Sequence, residues 1–296
     1  MRRAGRAGVV AALLALAGCE QAPAPPSPTA STRPLVVASN FSLYDFSRQV
    51  AGDRAEVASL VPPGVAPHDW EPSPRDVAEA RRSRLFVYNG ATLEPMAERL
   101  AVEITGKGPV VLNATEGLPL LGKDPHVWLD PLLAQRQVEV IARALGRVDA
   151  AGAATYERNA AAYRARLGEL HDTLAGGLET CARRDIVTSH DAFAYLARRY
   201  RLEPVPVMGL APESEPSPQD LARLVRVARA KQVKVIFFET LVSRSVAETI
   251  AREMGARTLV LNPVEGLTRE EAAAGKDYVG LMRANLDSLR VALECR

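Results

Sequence analysis

The chain repeats itself, and the repeat is what most limits its fold. Residues 35–64 read LVVASNFSLYDFSRQVAGDRAEVASLVPPG, and EPSPRDVAEARRSRLFVYNGATLEPMAERLA follows at 71–101. Residues 185–209 read DIVTSHDAFAYLARRYRLEPVPVMG, and EPSPQDLARLVRVARAKQVKVIFFETLVSRSVAETIA follows at 215–251. Both copies run apolar strand, Ser-Asn or Ser-His, amphipathic helix, strand, proline loop, EPSP, helix, strand, loop, helix. The closing strands also match, VVLNATEGL (110–118) against LVLNPVEGL (259–267). Short apolar strands alternating with helical patterns imply parallel sheets. The expectation is an α/β fold of two related lobes, 34–150 and 181–296, each a parallel sheet flanked by helices.

Between the copies, 151–180 is rich in alanine, arginine and glutamate. Tyr156, Tyr163, Leu167, Leu170 and Leu174 recur at helical spacing. The pattern predicts one helix of about 25–28 residues, about 40 Å long at 1.5 Å per residue. A single rigid helix joining two lobes restricts hinge motion. Gly176 and Gly177 are expected to weaken its last turn. The shared EPSP reads as a loop-to-helix device. Ser73 and Ser217 each precede a proline suited to the first helical position, and Asp76 and Asp220 complete a capping-box-like start. What the first copy adds is the histidine of PHDWEPSP, His68.

The first 33 residues do not join this pattern. MRRAGR is basic and VVAALLALA is a short apolar run, so 1–19 reads as a secretory signal rather than a membrane span. Leu16-Ala17-Gly18-Cys19 resembles a bacterial lipobox, in which Cys19 is lipidated and becomes the N-terminus; the alternative is an ordinary signal peptide with an incidental cysteine. EQAPAPPSPTASTR (20–33) has four prolines and no large apolar group, the composition of an extended tether. The folded part is therefore expected outside the cytoplasmic membrane. There the remaining cysteines, Cys181 and Cys295, are disulfide candidates, the alternative being two buried thiols. A net charge of +2 over 296 residues gives no reason to expect nucleic acid as a partner.

Chemistry concentrates on histidine. Of four, His171 falls among polar residues of the long helix and reads as a solvated surface group. His68, His126 and His190 fall where strands give way to loops, and open parallel sheets bind ligands at the carboxyl ends of their strands. Three imidazoles and an oxygen form a tetrahedral zinc set. The spacing matches no compact metal motif.

PHDWEPSP, DPHVWLDP, TSHDAFAYLARRY, GLAPESEPSP, VKVIFFET and GKDYVGLMRANLDSL, in this order, resemble the metal-binding solute-binding proteins of ABC transporters, and among them the zinc-uptake group. The resemblance runs from Pro34 to about Leu293. It implies one metal ion in the cleft between the lobes, with His68, His126 and His190 as ligands. A histidine at 190 is the zinc-type residue, where manganese-binding relatives usually carry glutamate. Where many members have Asp-Pro, this chain has Asn262-Pro263. LNPVEGLT resembles zinc-binding members in which the glutamate is the fourth ligand, here Glu265; Asn262 or water is the alternative, and Glu116 at the matching position of lobe one argues that Glu-Gly is a structural turn. Glu239 and Asp69 are candidates to orient histidines from behind. The histidine-rich insertion that many members carry before the second ligand is missing here.

The resemblance implies capture of Zn2+ as a transported ligand and its delivery to an ABC permease and its ATPase. It also implies a monomer held to a membrane by the lipid on Cys19, with an accessory zinc chaperone as a further partner. Release is expected through movement of the loops around His126 or Glu265. Manganese transport is the alternative within the family. A zinc-dependent hydrolase, with Glu239 or Asp69 as base, and a surface adhesin are the alternatives from other classes.

Overall fold

The structure, a computed structural model, describes residues 33–210 and 217–296, the side chains of Pro218 and Asp220 excepted. The signal, Cys19 and the tether up to residue 32 lie outside the described residues, as do Glu215 and Pro216 of the second EPSP and the side chain of Asp220.

Two parallel four-stranded sheets form the frame. In lobe one, β1 (Leu35–Ala38), β2 (Glu56–Ser59), β3 (Leu85–Tyr88) and β4 (Val110–Asn113) lie in the order β2-β1-β3-β4. In lobe two, β5 (Asp185–Thr188), β6 (Glu203–Pro206), β7 (Val235–Phe238) and β8 (Arg257–Val260) lie in the order β6-β5-β7-β8. The order is the same in both, as a repeated unit requires. Successive side chains leave a strand on opposite faces. Val36, Ala38, Leu85 and Val87 enter one apolar cluster, while Leu35, Val37 and Phe86 enter another. Lobe two divides likewise, with Ile186, Val235 and Phe237 on one face and Val187, Ile236 and Phe238 on the other.

The outer faces are covered by α2 (Pro74–Arg82) and α3 (Pro95–Ile104) in lobe one, and by α7 (Pro218–Ala230) and α8 (Ser245–Met254) in lobe two. Ser73 caps α2: its hydroxyl accepts from the Asp76 amide, and the Asp76 carboxylate accepts from the Ser73 amide. Trp70 is buried in the outer cluster of lobe one, so PHDWEPSP is anchored by its tryptophan while its histidine is free to face elsewhere.

The inner faces share one core. It takes in α1 (Phe41–Ala51), α4 (Pro131–Val148), α5 (Ala153–Glu179), α6 (Ala194–Tyr200) and α10 (Tyr278–Leu293), and it runs without a break from Val36 to Phe237. α5, 27 residues long, supplies the continuous stripe Tyr156, Ala160, Tyr163, Leu167, Leu170, Leu174 and Leu178. Each large side chain so buried contributes about 1.5–3 kcal/mol. The lobes are thus a repeat of the chain but not two separate cores. Gly176 and Gly177 do not end α5 early. A Cβ on Gly177 would come within 2.9 Å of Leu286 Cδ1, so this glycine permits α10 to pack closely. Cys181 and Cys295, just beyond the ends of α5 and α10, are joined by a disulfide. It closes 114 residues, worth about 5 kcal/mol by chain entropy. His171 is not a freely solvated group: half-buried, its ring lies tilted against that of Tyr200, with its Nδ1 3.1 Å from the hydroxyl. Among the described residues no helix is long and apolar enough to cross a membrane.

Candidate metal centre

His68, His126, His190 and Glu265 come together, each beyond the carboxyl end of a strand. His68 follows β2, on a 3-10 turn over Pro67–Asp69. His126 follows β4 and directly precedes the 3-10 turn Val127–Leu129. His190 lies two residues past β5. Glu265 lies between β8 and the short helix α9 (Arg269–Ala273). One ligand atom from each lies within 4.8 Å of every other. His68 Nε2 is 3.4 Å and His126 Nε2 3.7 Å from Glu265 Oε2, and the Nε2 atoms of His126 and His190 are 3.4 Å apart. A tetrahedron with bonds of about 2.1 Å, as zinc makes to nitrogen and oxygen, has edges of about 3.4 Å. His68 Nε2 and Glu265 Oε2 are buried without a hydrogen-bond partner. Two orphan atoms at ligand spacing fit a cation.

The outer nitrogens of two rings are fixed by carboxylates. His190 Nδ1 lies 2.7 Å from Glu239 Oε1, and Glu239 sits directly after β7, the strand beside β5. His126 Nδ1 lies 2.7 Å from Asp124 Oδ1, which also accepts from the His126 amide at 2.9 Å. Such contacts set the tautomer and raise the basicity of the coordinating nitrogen. Asp124 escaped the sequence reading. Its signal is Asp-Pro-His, a carboxylate two residues before a ligand, close enough to close a local turn on the amide and the ring together. Asp69, expected in this role, is exposed on the 3-10 turn. Neighbours on such a turn point about 120° apart, which carries Asp69 away from the face His68 presents.

Asn262 also has another task. Its Oδ1 accepts from the Val264 amide at 2.7 Å, and its Nδ2 donates to Thr240 Oγ1 and Glu271 Oε1. With both side-chain atoms committed to protein partners, it shapes the turn that delivers Glu265. Every carbonyl of that turn is bonded. Asn262 accepts from Asn285 Nδ2 (2.6 Å), Pro263 from Trp128 Nε1 (2.7 Å), Val264 from Ser42 Oγ (2.6 Å) and Glu265 from the Phe41 amide (3.1 Å). Val264 has φ of 58°, costly for a β-branched residue, and these bonds hold it there.

The electrostatics follow from burial and pairing. Burial alone would strip His126 of its proton, but the Asp124 and Glu265 carboxylates outweigh it and push the ring up to about 9. Burial likewise opposes ionisation of Glu265, yet His126 and His68 hold it well below the usual carboxylate range. The free site is thus a charged pair in which a proton on His126 occupies the place a cation would take. Behind His68, burial pushes Glu94 up to about 7 against hydrogen bonds from Ser39 and Asn40.

The chain is similar to known zinc-binding proteins. The high-affinity zinc uptake system protein ZnuA of Bacillus subtilis is 38% identical over 281 residues, 87% of each chain. The zinc-binding lipoprotein AdcA of Streptococcus pneumoniae is 36% identical over 274 residues, 86% of this chain and 55% of AdcA. The Zn(II)-bound ZnuA-like domain of that AdcA superimposes with a TM-score of 0.80 at 37% identity, covering 88% of this chain and 99% of the domain. The metal-dependent lipoprotein YcdH of Bacillus subtilis gives 0.80 at 39% identity, with 88% and 100% coverage. Residues 36–292 match the family described as zinc-uptake complex component A, periplasmic, and the chain belongs to that family.

Proposed function

We propose that this protein is the zinc-binding component of an ABC importer, holding one Zn2+ through His68, His126, His190 and Glu265 and delivering it to a permease served by an ATPase. The observation that carries the reading is the four-atom cluster, with ligand spacing, two orphan buried atoms and carboxylates behind two of the rings. A lipid on Cys19 would hold the mature chain at a membrane outside the cytoplasm, the tether of 20–33 giving it reach, and the chain would work as a monomer.

Capture exchanges a proton for the ion: zinc displaces the proton that Asp124 and Glu265 stabilise on His126. Three of the four ligands are on firmly bonded segments. His68 is on the loop 62–70, held to lobe two by the bond from the Gly64 amide to the Leu267 carbonyl at 2.7 Å. Gly266 lies beneath this loop, where a Cβ would come 3.4 Å from the Val65 carbonyl and 2.7 Å from Leu241 Cδ1. The His68 loop, which has no helix or strand of its own apart from one 3-10 turn, is a further route for entry and release beside the loops around His126 and Glu265 that the sequence suggested. The shared core disfavours wide opening of the lobes.

A hydrolase reading needs an open coordination position for water. Glu265 fills the fourth position, and both candidate bases are otherwise placed, Glu239 against His190 and Asp69 at the surface. Metal analysis with competition titration of the purified protein tests the proposal. One zinc per chain, held more tightly than manganese and lost on His190→Ala, is the expected result; no tight zinc would overturn it.

A further inference from the structure

Tyr195 has no part in the site described above. It is the second residue of α6, in lobe two, and 2% exposed. Its hydroxyl reaches across to lobe one, donating to the Asp124 carbonyl at 3.1 Å and accepting from the Leu121 amide at 2.8 Å. Those groups bracket a turn closed by the Asp124 amide donating to the Leu121 carbonyl at 3.1 Å. The one proton of the hydroxyl and one of its lone pairs are thereby engaged. From Ala114 to Pro125 the chain has no helix or strand of its own. Yet this segment ends in Asp124, the carboxylate that fixes the His126 ring.

α6 reaches lobe one a second time. One helical turn beyond Tyr195, on the same face, Arg199 donates from Nε and Nη2 to Asp130 Oδ2 at 2.9 and 2.7 Å. Asp130 caps α4 by accepting from the Leu132 amide. The two reaches therefore seize the chain on either side of His126. α6 itself starts four residues after His190. One short helix thus sits between the supports of both histidines whose Nε2 atoms are 3.4 Å apart.

We propose that Tyr195 is a positioning residue for metal retention. Its hydroxyl pins the Leu121–Asp124 turn to lobe two, Asp124 thereby holds the His126 ring at a fixed distance from His190, and opening of this pin speeds zinc loss. The proposal rests on the four-ligand zinc site proposed above. It predicts an effect on dissociation more than on association, because the pin restrains a ligand already in place.

The test compares Tyr195→Phe with Tyr200→Phe in the purified protein. Both remove a hydroxyl from a mostly buried ring on α6, but that of Tyr200 meets His171, away from the ligands. Zinc dissociation into excess chelator should be about tenfold faster for Tyr195→Phe, the effect of losing one or two buried hydrogen bonds. It should be unchanged for Tyr200→Phe. The visible absorption of the cobalt-loaded protein should shift for Tyr195→Phe alone, a signature of altered ligand geometry that loss of general stability would not produce. Equal dissociation rates in Tyr195→Phe and the parent would overturn the pin and leave the zinc site standing. A parent that binds no zinc would overturn both. Hydrogen exchange of the zinc-loaded parent decides the matter should Tyr195→Phe fold poorly. The Leu121 amide should be protected as strongly as the middle of α5, and rapid exchange there would overturn the pin.

Discussion

The two lobes end their sheets on nearly the same words, VVLNATEGL and LVLNPVEGL, and use them differently. In both turns the asparagine oxygen accepts from the amide two residues on: Asn113 from Thr115 at 2.9 Å, Asn262 from Val264 at 2.7 Å. The glutamates then part company. Glu116 is exposed, whereas Glu265 is buried among the histidines. The left-handed residue has moved. In lobe one it is Gly117, after the glutamate, and in lobe two it is Val264, before it. A kink before the glutamate turns the carboxylate inward. The strain of placing valine there, about 1–3 kcal/mol, is offset by bonds from Ser42, Phe41, Trp128 and Asn285 to the turn's four carbonyls. A repeated motif can therefore preserve a turn's cap while its neighbours decide where the functional side chain points.

Paired substitutions test this contrast. Glu265→Ala should weaken zinc binding by about a hundredfold or more, since about 10–16 kcal/mol of zinc binding is spread over four ligands. Glu116→Ala should leave it unchanged; competition titration of both against a chelator checks the difference, and equal effects would break the comparison. The pH dependence should be nearly as large. Protonated His126 competes with zinc, so affinity rises with pH up to about 9 and levels off above it. Between pH 8 and pH 6 the loss is about tenfold per unit from this group, and titration at several pH values measures it. Because Glu265 helps to keep that proton in place, Glu265→Ala should move the plateau to lower pH.

Smaller effects should come from the supports. Asp124→Asn and Glu239→Gln should each weaken zinc about 10–100-fold, as loss of an imidazole's outer partner does, while Asp69→Asn should bind zinc like the parent. Smallest are the caps. Asn262→Ala should cost about 1–3 kcal/mol of stability by leaving buried groups unpaired, more than Asn113→Ala in the half-buried turn of lobe one. Ser73→Ala should cost about 1 kcal/mol. Thermal unfolding of the zinc-free proteins ranks them.

Much of the site was legible. His68, His126 and His190 declared themselves by standing where strand periodicity stops, and Glu239 came with the family resemblance of VKVIFFET. Glu265 and Asn262 could not be separated in sequence, because both are oxygen donors three residues apart on one turn. Asp69 was a candidate to orient a histidine, but it is exposed on the 3-10 turn Pro67–Asp69. Asp124 was hidden by the proline between it and His126, although its local turn explains why it reaches the ring.

The sequence alone determined the two α/β lobes, the long helix between them and the three imidazoles at strand ends, because strand and helix periods are local properties that survive in a one-dimensional pattern. The tertiary structure decided the rest: the fourth member of the cluster, the carboxylate behind His126 and the merging of the two inner faces into one core. The placing of the fourth member depends on one left-handed valine and on hydrogen bonds between residues 135 and 222 positions apart, Trp128 to Pro263 and Ser42 to Val264. No local period records which distant backbone a side chain will meet.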